Sequence, residues 1–209
     1  MSRRHLFVAG FGRCGTTLIM TMLDAGGFPV AGPRPSYELP GCWSIAGPDR
    51  DWLNDQAGRA VKWIIPSPDH MDGVLRRDQP VVLLMTRDLR QQARSQVKLL
   101  DSRVPLHIRH QAVKGMERSL RADLPVLRAR LRARAQVTEL FFEMVVQDAL
   151  AAAQVLDDLL RREFGFQGFD MAAAARVVMR RHPDCLPDLR METAILPMVA
   201  EWIERRQAA

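Results

Sequence analysis

His5-Leu-Phe-Val-Ala-Gly-Phe-Gly-Arg-Cys-Gly-Thr-Thr-Leu-Ile-Met-Thr-Met-Leu-Asp-Ala-Gly-Gly27 reads as a strand, a tight glycine loop and a helix. Leu6 to Ala9 is a short apolar run of the kind buried in a parallel sheet. Gly10, Gly12 and Gly15 permit a sharp turn and leave no side chain between the backbone amides and a ligand. Thr16 and Thr17 open an apolar helix that Gly26-Gly27 closes. A helix that starts after such a loop offers N–H groups and the positive end of its dipole to an anion. The stretch therefore predicts a phosphate- or sulfate-binding loop. A glycine-rich turn without a ligand is the plainer alternative, but a strand, three glycines, an internal cation (Arg13) and two hydroxyls coincide here.

At 209 residues one α/β domain spanning 1–209 is the natural expectation, with enough chain for a core. A hydrophobic content of 47% is that of a globular protein, and the net charge of +6 suits an anionic ligand or simply a basic surface. Cys14, Cys42 and Cys185 are odd in number and lack metal-ligand spacing, which argues against a disulfide framework and a zinc site and for a reducing cytoplasm. The start mimics the charged beginning of a signal peptide, but Gly12-Arg13 breaks its apolar run at once. No apolar run reaches the roughly 18 residues that a membrane span requires.

Beyond the first helix, prolines at 29, 33, 35, 40 and 48 predict loop, with Tyr37 and Glu38 inside it. Glu38 is either a solvated carboxylate or part of a site wall. Ala60 to Ile65 reads as a buried strand carrying Lys62, whose charge needs a partner, a cleft or an escape to the edge. A short helix over 69–77 follows, with His70 at its start. Val81 to Thr86 is the strongest strand signal, and it runs into Arg87 and a helix reaching about Leu100 that carries Ser95. An arginine at a strand's carboxyl end, with a serine eight residues on, can bring both groups to one ligand.

Asp101 to Ala135 is basic and helical, with Leu120, Leu124, Leu127 and Leu131 spaced to face a core. Arg128, Arg130, Arg132 and Arg134 step about 200° around a helix, so they form two rows rather than one stripe. With no aromatic residues interleaved, they predict a solvated face and no nucleic-acid groove. Arg103, His107, Arg109 and His110 precede it as a candidate acceptor-binding segment. Gln136 to Glu143 reads as a fourth strand, followed by helices over 149–162, 170–181 and 192–207. Alternation of strands and helices predicts α/β architecture with a mainly parallel sheet.

Gly12-Arg-Cys-Gly-Thr-Thr17 resembles the 5′-phosphosulfate loop of the sulfotransferases, in which a basic residue, a small residue and Gly-Thr-Thr follow one another. Arg87 and Ser95 match the Arg-(seven residues)-Ser element with which that family grips the 3′-phosphate of its donor, 3′-phosphoadenosine 5′-phosphosulfate (PAPS). The resemblance covers the order of elements over roughly residues 5 to 165. It implies a three-layer P-loop α/β fold with helices on both faces of the sheet, and metal-free transfer of a sulfuryl group from PAPS to a hydroxyl or amine. It further implies that Gly12, Arg13, Cys14, Gly15, Thr16, Thr17, Arg87 and Ser95 hold the donor, with Lys62 assisting the transfer. Many members carry a base histidine where Ile64 stands, others a glutamate after the first helix, which makes Glu38 the candidate base with His70 behind it. Phe142 stands where the family has a tyrosine near the adenine, and the late glycine-rich element of many animal enzymes is absent. A small P-loop kinase is the alternative, although Thr16 replaces its loop lysine; so is a nucleotide-binding relative without catalysis.

Overall fold

The computed structural model describes residues 4–39, 56–65, 80–99 and 106–178. The predicted helices over 69–77 and 192–207, with His70, Arg103, Cys42 and Cys185, lie outside the described residues. Four strands form one sheet: β1 (Leu6–Gly10), β2 (Ala60–Ile64), β3 (Val81–Thr86) and β4 (Gln136–Phe141). Their order is β2-β1-β3-β4, and every pair is parallel. Leu6 lies opposite Ala60 on one side and Val81 on the other, so β1 is central and buried along its whole length.

The helices are α1 (Thr16–Ala25), α2 (Leu89–Leu99), α3 (Arg109–Arg132), α4 (Phe142–Gln147), α5 (Ala149–Phe164) and α6 (Met171–Arg176). Because side chains alternate along a strand, the sheet has two apolar faces and each needs a cover. Leu6, Val8, Leu83 and Met85 pack with Ile19 and Met20 of α1, Ala152 and Leu156 of α5, and Ala174 of α6. Phe7, Ala9, Trp63, Val82 and Leu84 pack with Ala93 of α2 and with Leu120, Leu124, Leu127 and Leu131 of α3. Helices thus cover both faces, and the leucine stripe of α3 faces the core as its spacing predicts.

Two features differ from the sequence reading. β4 stops at Phe141, and Phe142-Glu143 begin α4 instead of ending the strand. Phe142 and Val145, three residues apart, pack into the core from one face of a helix, a placement that an extended backbone would split. The arginines of α3 are also not all solvated. Arg128 holds Glu139 of β4 through Nε at 3.0 and 3.2 Å, and Arg132 approaches the same carboxylate at 3.7 Å. Residues 128 and 132 are one turn apart, which places this row against the edge strand.

Candidate functional site

β1 ends at Gly10, where the chain must turn within contact of β3. A Cβ at Gly10 would lie 2.5 Å from Cys14 Sγ and 2.6 Å from the Met85 carbonyl oxygen. Gly15 has φ 108°, and a Cβ there would enter the Phe142 ring at 2.6 Å. Arg13 itself adopts the left-handed region at φ 69°. Gly12 is different: its φ is not positive and a Cβ would meet nothing nearer than Gln96 Nε2 at 3.7 Å. The smallness of Gly12 is therefore not imposed by packing, in contrast with Gly10 and Gly15. Cys14 is buried under the loop, and its thiol is pushed up to about 12 by that burial, so it packs as an inert small side chain.

α1 begins directly after Gly15, and among the described residues no side chain caps its N-terminus. The first cation at this end comes from the neighbouring strand. Lys62 stands opposite Val8 on β2, with 3% of its side chain exposed. Its Nζ donates to Thr17 Oγ1 at 2.8 Å, to the Ser36 carbonyl at 2.9 Å and to Glu38 Oε1 at 2.7 Å. Burial holds the ammonium below its ordinary value; the Glu38 charge opposes that shift and Arg13 adds to it. Lys62 thus lies within the fold rather than escaping at the sheet edge, and its partner is the carboxylate that the loop supplies.

Glu38 reaches Lys62 because its loop is tied at two places. Ala31 N–H donates to the Ala60 carbonyl and Ala60 N–H to the Pro29 carbonyl, each at 2.8 Å, fastening the loop to the start of β2. Tyr37 is buried, with its hydroxyl donating to Asp24 Oδ2 of α1 at 2.7 Å. Arg34 lies on the same carboxylate and holds Asp24 below the usual range, a shift that burial opposes and Tyr37 assists. Gly32, at φ 89°, lets the chain fold back onto Tyr37, where a Cβ would clash with the Tyr37 carbonyl carbon at 2.6 Å.

A second cluster lies on the α2 side of the loop. Arg13 Nε donates to Ser95 Oγ at 3.0 Å. Arg87, at the carboxyl end of β3, reaches the Arg13 carbonyl at 3.4 Å, and its guanidinium lies 4.4 Å from the centroid of the Phe142 ring. Glu143 accepts from the Asp88 N–H at 3.1 Å and stands 4.0 Å from Arg87 Nε. Ser95 and Arg87, paired in sequence, are thus linked through Arg13. Arg13, expected beside Thr16 and Thr17, directs its side chain to α2.

Gln92 and Gln96 were not singled out from sequence. Gln92 Nε2 donates to the Phe11 and Gly12 carbonyls at 3.1 and 2.9 Å, and Gln96 Nε2 donates to the Gly12 carbonyl at 2.7 Å. Their signal was positional: Gln92 lies one helical turn before both Ser95 and Gln96, so all three share a face of α2.

The two clusters flank the point where the strand order reverses. β1 pairs with β2 on one side and β3 on the other, and the loop and Arg87 leave the carboxyl ends of β1 and β3. Ligands of open parallel sheets bind in that crevice. Lys62, Thr17, Arg13, Ser95 and Arg87 are hydrogen-bond donors, a set suited to an anion carrying two charged groups. Among the described residues no group of three or more His, Cys, Asp or Glu is placed to hold a metal ion, and no helix is long and apolar enough to cross a membrane. No known family model matches the chain, and no curated protein is detectably similar to it.

Proposed function

We propose that this chain is a cytoplasmic P-loop sulfotransferase that moves a sulfuryl group from PAPS to a hydroxyl or amine. The observation that carries the reading is the buried Lys62 ammonium on the Thr17 hydroxyl, with the Glu38 carboxylate on its other side. It puts a cation at the mouth of the loop from β2, where the nucleotide P-loop pattern uses a loop lysine that Thr16 replaces here. The donor set fits PAPS: the loop amides, Thr17 and Lys62 suit the 5′-phosphosulfate, and Ser95, Arg87 and Arg13 suit the 3′-phosphate.

PAPS supplies the sulfuryl group and departs as adenosine 3′,5′-bisphosphate. Lys62 and the loop N–H groups stabilise the negative charge that grows on the leaving phosphate oxygen. Glu38 takes the proton released by the acceptor hydroxyl or amine. Lys62 holds the carboxylate in place until then. The same ion pair favours one second reading, a PAPS-binding relative that performs no transfer because its carboxylate stays locked on Lys62.

Calorimetry distinguishes these readings from a kinase. Adenosine 3′,5′-bisphosphate is expected to bind without added metal and more tightly than ATP with magnesium. The reverse order would overturn the donor assignment in favour of a phosphotransferase.

A further inference from the structure

We propose that Gln92 and Gln96 are positioning residues of the anion loop, holding its carbonyl oxygens out of the crevice so that N–H groups face the ligand. The proposal rests on the reading of residues 12–17 as an oxyanion-binding loop. A peptide plane carries its N–H and C=O on opposite sides, so fixing where a carbonyl points also fixes the direction of the next residue's amide. A loop of this kind can bind an anion only if its carbonyls are held elsewhere, because each one turned inward would repel the ligand.

Here two consecutive carbonyls are taken by α2 side chains: Phe11 accepts from Gln92, and Gly12 accepts from both glutamines. Gly12 has both acceptor positions filled, at 2.9 and 2.7 Å. Only the amide nitrogen of a glutamine can serve a carbonyl, so each glutamine has a single productive orientation. Gln92 is 2% exposed, a burial that a glutamine tolerates only when its polar atoms have partners. α2 thus holds the loop carbonyls while carrying Ser95 to Arg13 on the same face.

The test is Gln96→Met, a neutral replacement of similar length without a donor, at a half-buried position whose variant is expected to fold. Gln92→Met, at the buried position, is measured in parallel. The probes are adenosine 5′-monophosphate, adenosine 3′-monophosphate and inorganic sulfate, followed by calorimetry and by the backbone amide resonances of residues 12–17.

The expected result is that affinity for the 5′-phosphate falls about five- to tenfold, the effect of one or two lost hydrogen bonds, while affinity for the 3′-phosphate stays within about twofold. A merely structural role would weaken both equally, and that outcome, or unchanged binding of both, overturns the proposal. If the wild type ignores the nucleotides but sulfate still shifts these amides, and Gln96→Met abolishes that shift, the donor assignment fails and the positioning role stands. If the wild-type amides respond to no probe, both fall.

Discussion

Lys62 meets a hydroxyl, a carbonyl and a carboxylate with 3% of its side chain exposed, so its energetics depend on keeping all three partners. Removing one member of a buried ion pair leaves an uncompensated charge, and Lys62→Met is expected to lower unfolding free energy by about 3–5 kcal/mol in urea denaturation. Adding Glu38→Leu to that variant should restore most of the loss, since the stranded carboxylate is then gone. The pH response has a definite sign. Burial depresses the Lys62 ammonium in the fold, so between that lowered value and the ordinary 10.5 the unfolded chain binds more protons than the native one. The Lys62 contribution to stability therefore rises with pH through that window, and the rise should be missing from the Lys62→Met titration. Glu38→Gln tests the chemistry: with any hydroxyl or amine acceptor that supports turnover, the rate should drop at least about a hundredfold while bisphosphate affinity is kept. Unchanged turnover would remove Glu38 from the mechanism.

At the scale of elements, the β1–loop–α1 unit was legible because the residues that make its strand, turn and helix follow one another in the chain. The apolar run, the glycines and the two threonines produce Leu6–Gly10 and Thr16–Ala25 at the places they predict. The reasons for the glycines were only partly legible, because a clash is a property of neighbours distant in sequence. Gly10 faces Met85 and Gly15 faces Phe142, whereas Gly12 faces ordinary contacts. Gly10→Ala and Gly15→Ala are accordingly expected to destabilise by about 1–3 kcal/mol, from overpacking and, at Gly15, from positive φ as well. Gly12→Ala should melt within about 0.5 kcal/mol of the wild type. Thermal unfolding of the three variants checks this order. The end of β4 is not legible locally because Phe141-Phe142 suits a strand as well as a helix, and only the packing of Phe142 and Val145 selects the helix. Gln92 and Gln96 were hard to read for a similar reason: on a helix rich in arginine and glutamine, a place on the Ser95 face does not by itself separate a polar side chain turned inward from one turned to water.

For the whole molecule, the order β2-β1-β3-β4 decides which distant segments meet. Placing β1 between β2 and β3 brings Lys62 to one side of the loop and Arg87 to the other. The sequence supplied Glu38, Lys62 and Arg13 as separate candidates and Arg87 with Ser95 as a pair, chosen by residue type and by resemblance. It did not supply the pairing of Lys62 with Glu38, which depends on the Ala31–Ala60 tie and on Tyr37 docking against Asp24. Nor did it supply the link from Ser95 to Arg13, which depends on α2 lying against the loop. The proposed division of labour, with 5′ groups at the Lys62 end and the 3′-phosphate at the Arg87 end, follows from this arrangement. Its most direct test is calorimetry of adenosine 3′,5′-bisphosphate against adenosine 5′-monophosphate, in the wild type and in Arg87→Ala. The bisphosphate should bind more tightly to the wild type by about 1.5–3 kcal/mol, the range for a hydrogen bond to a charged group, and Arg87→Ala should erase most of that difference. Equal affinity of the wild type for the two nucleotides would contradict the account.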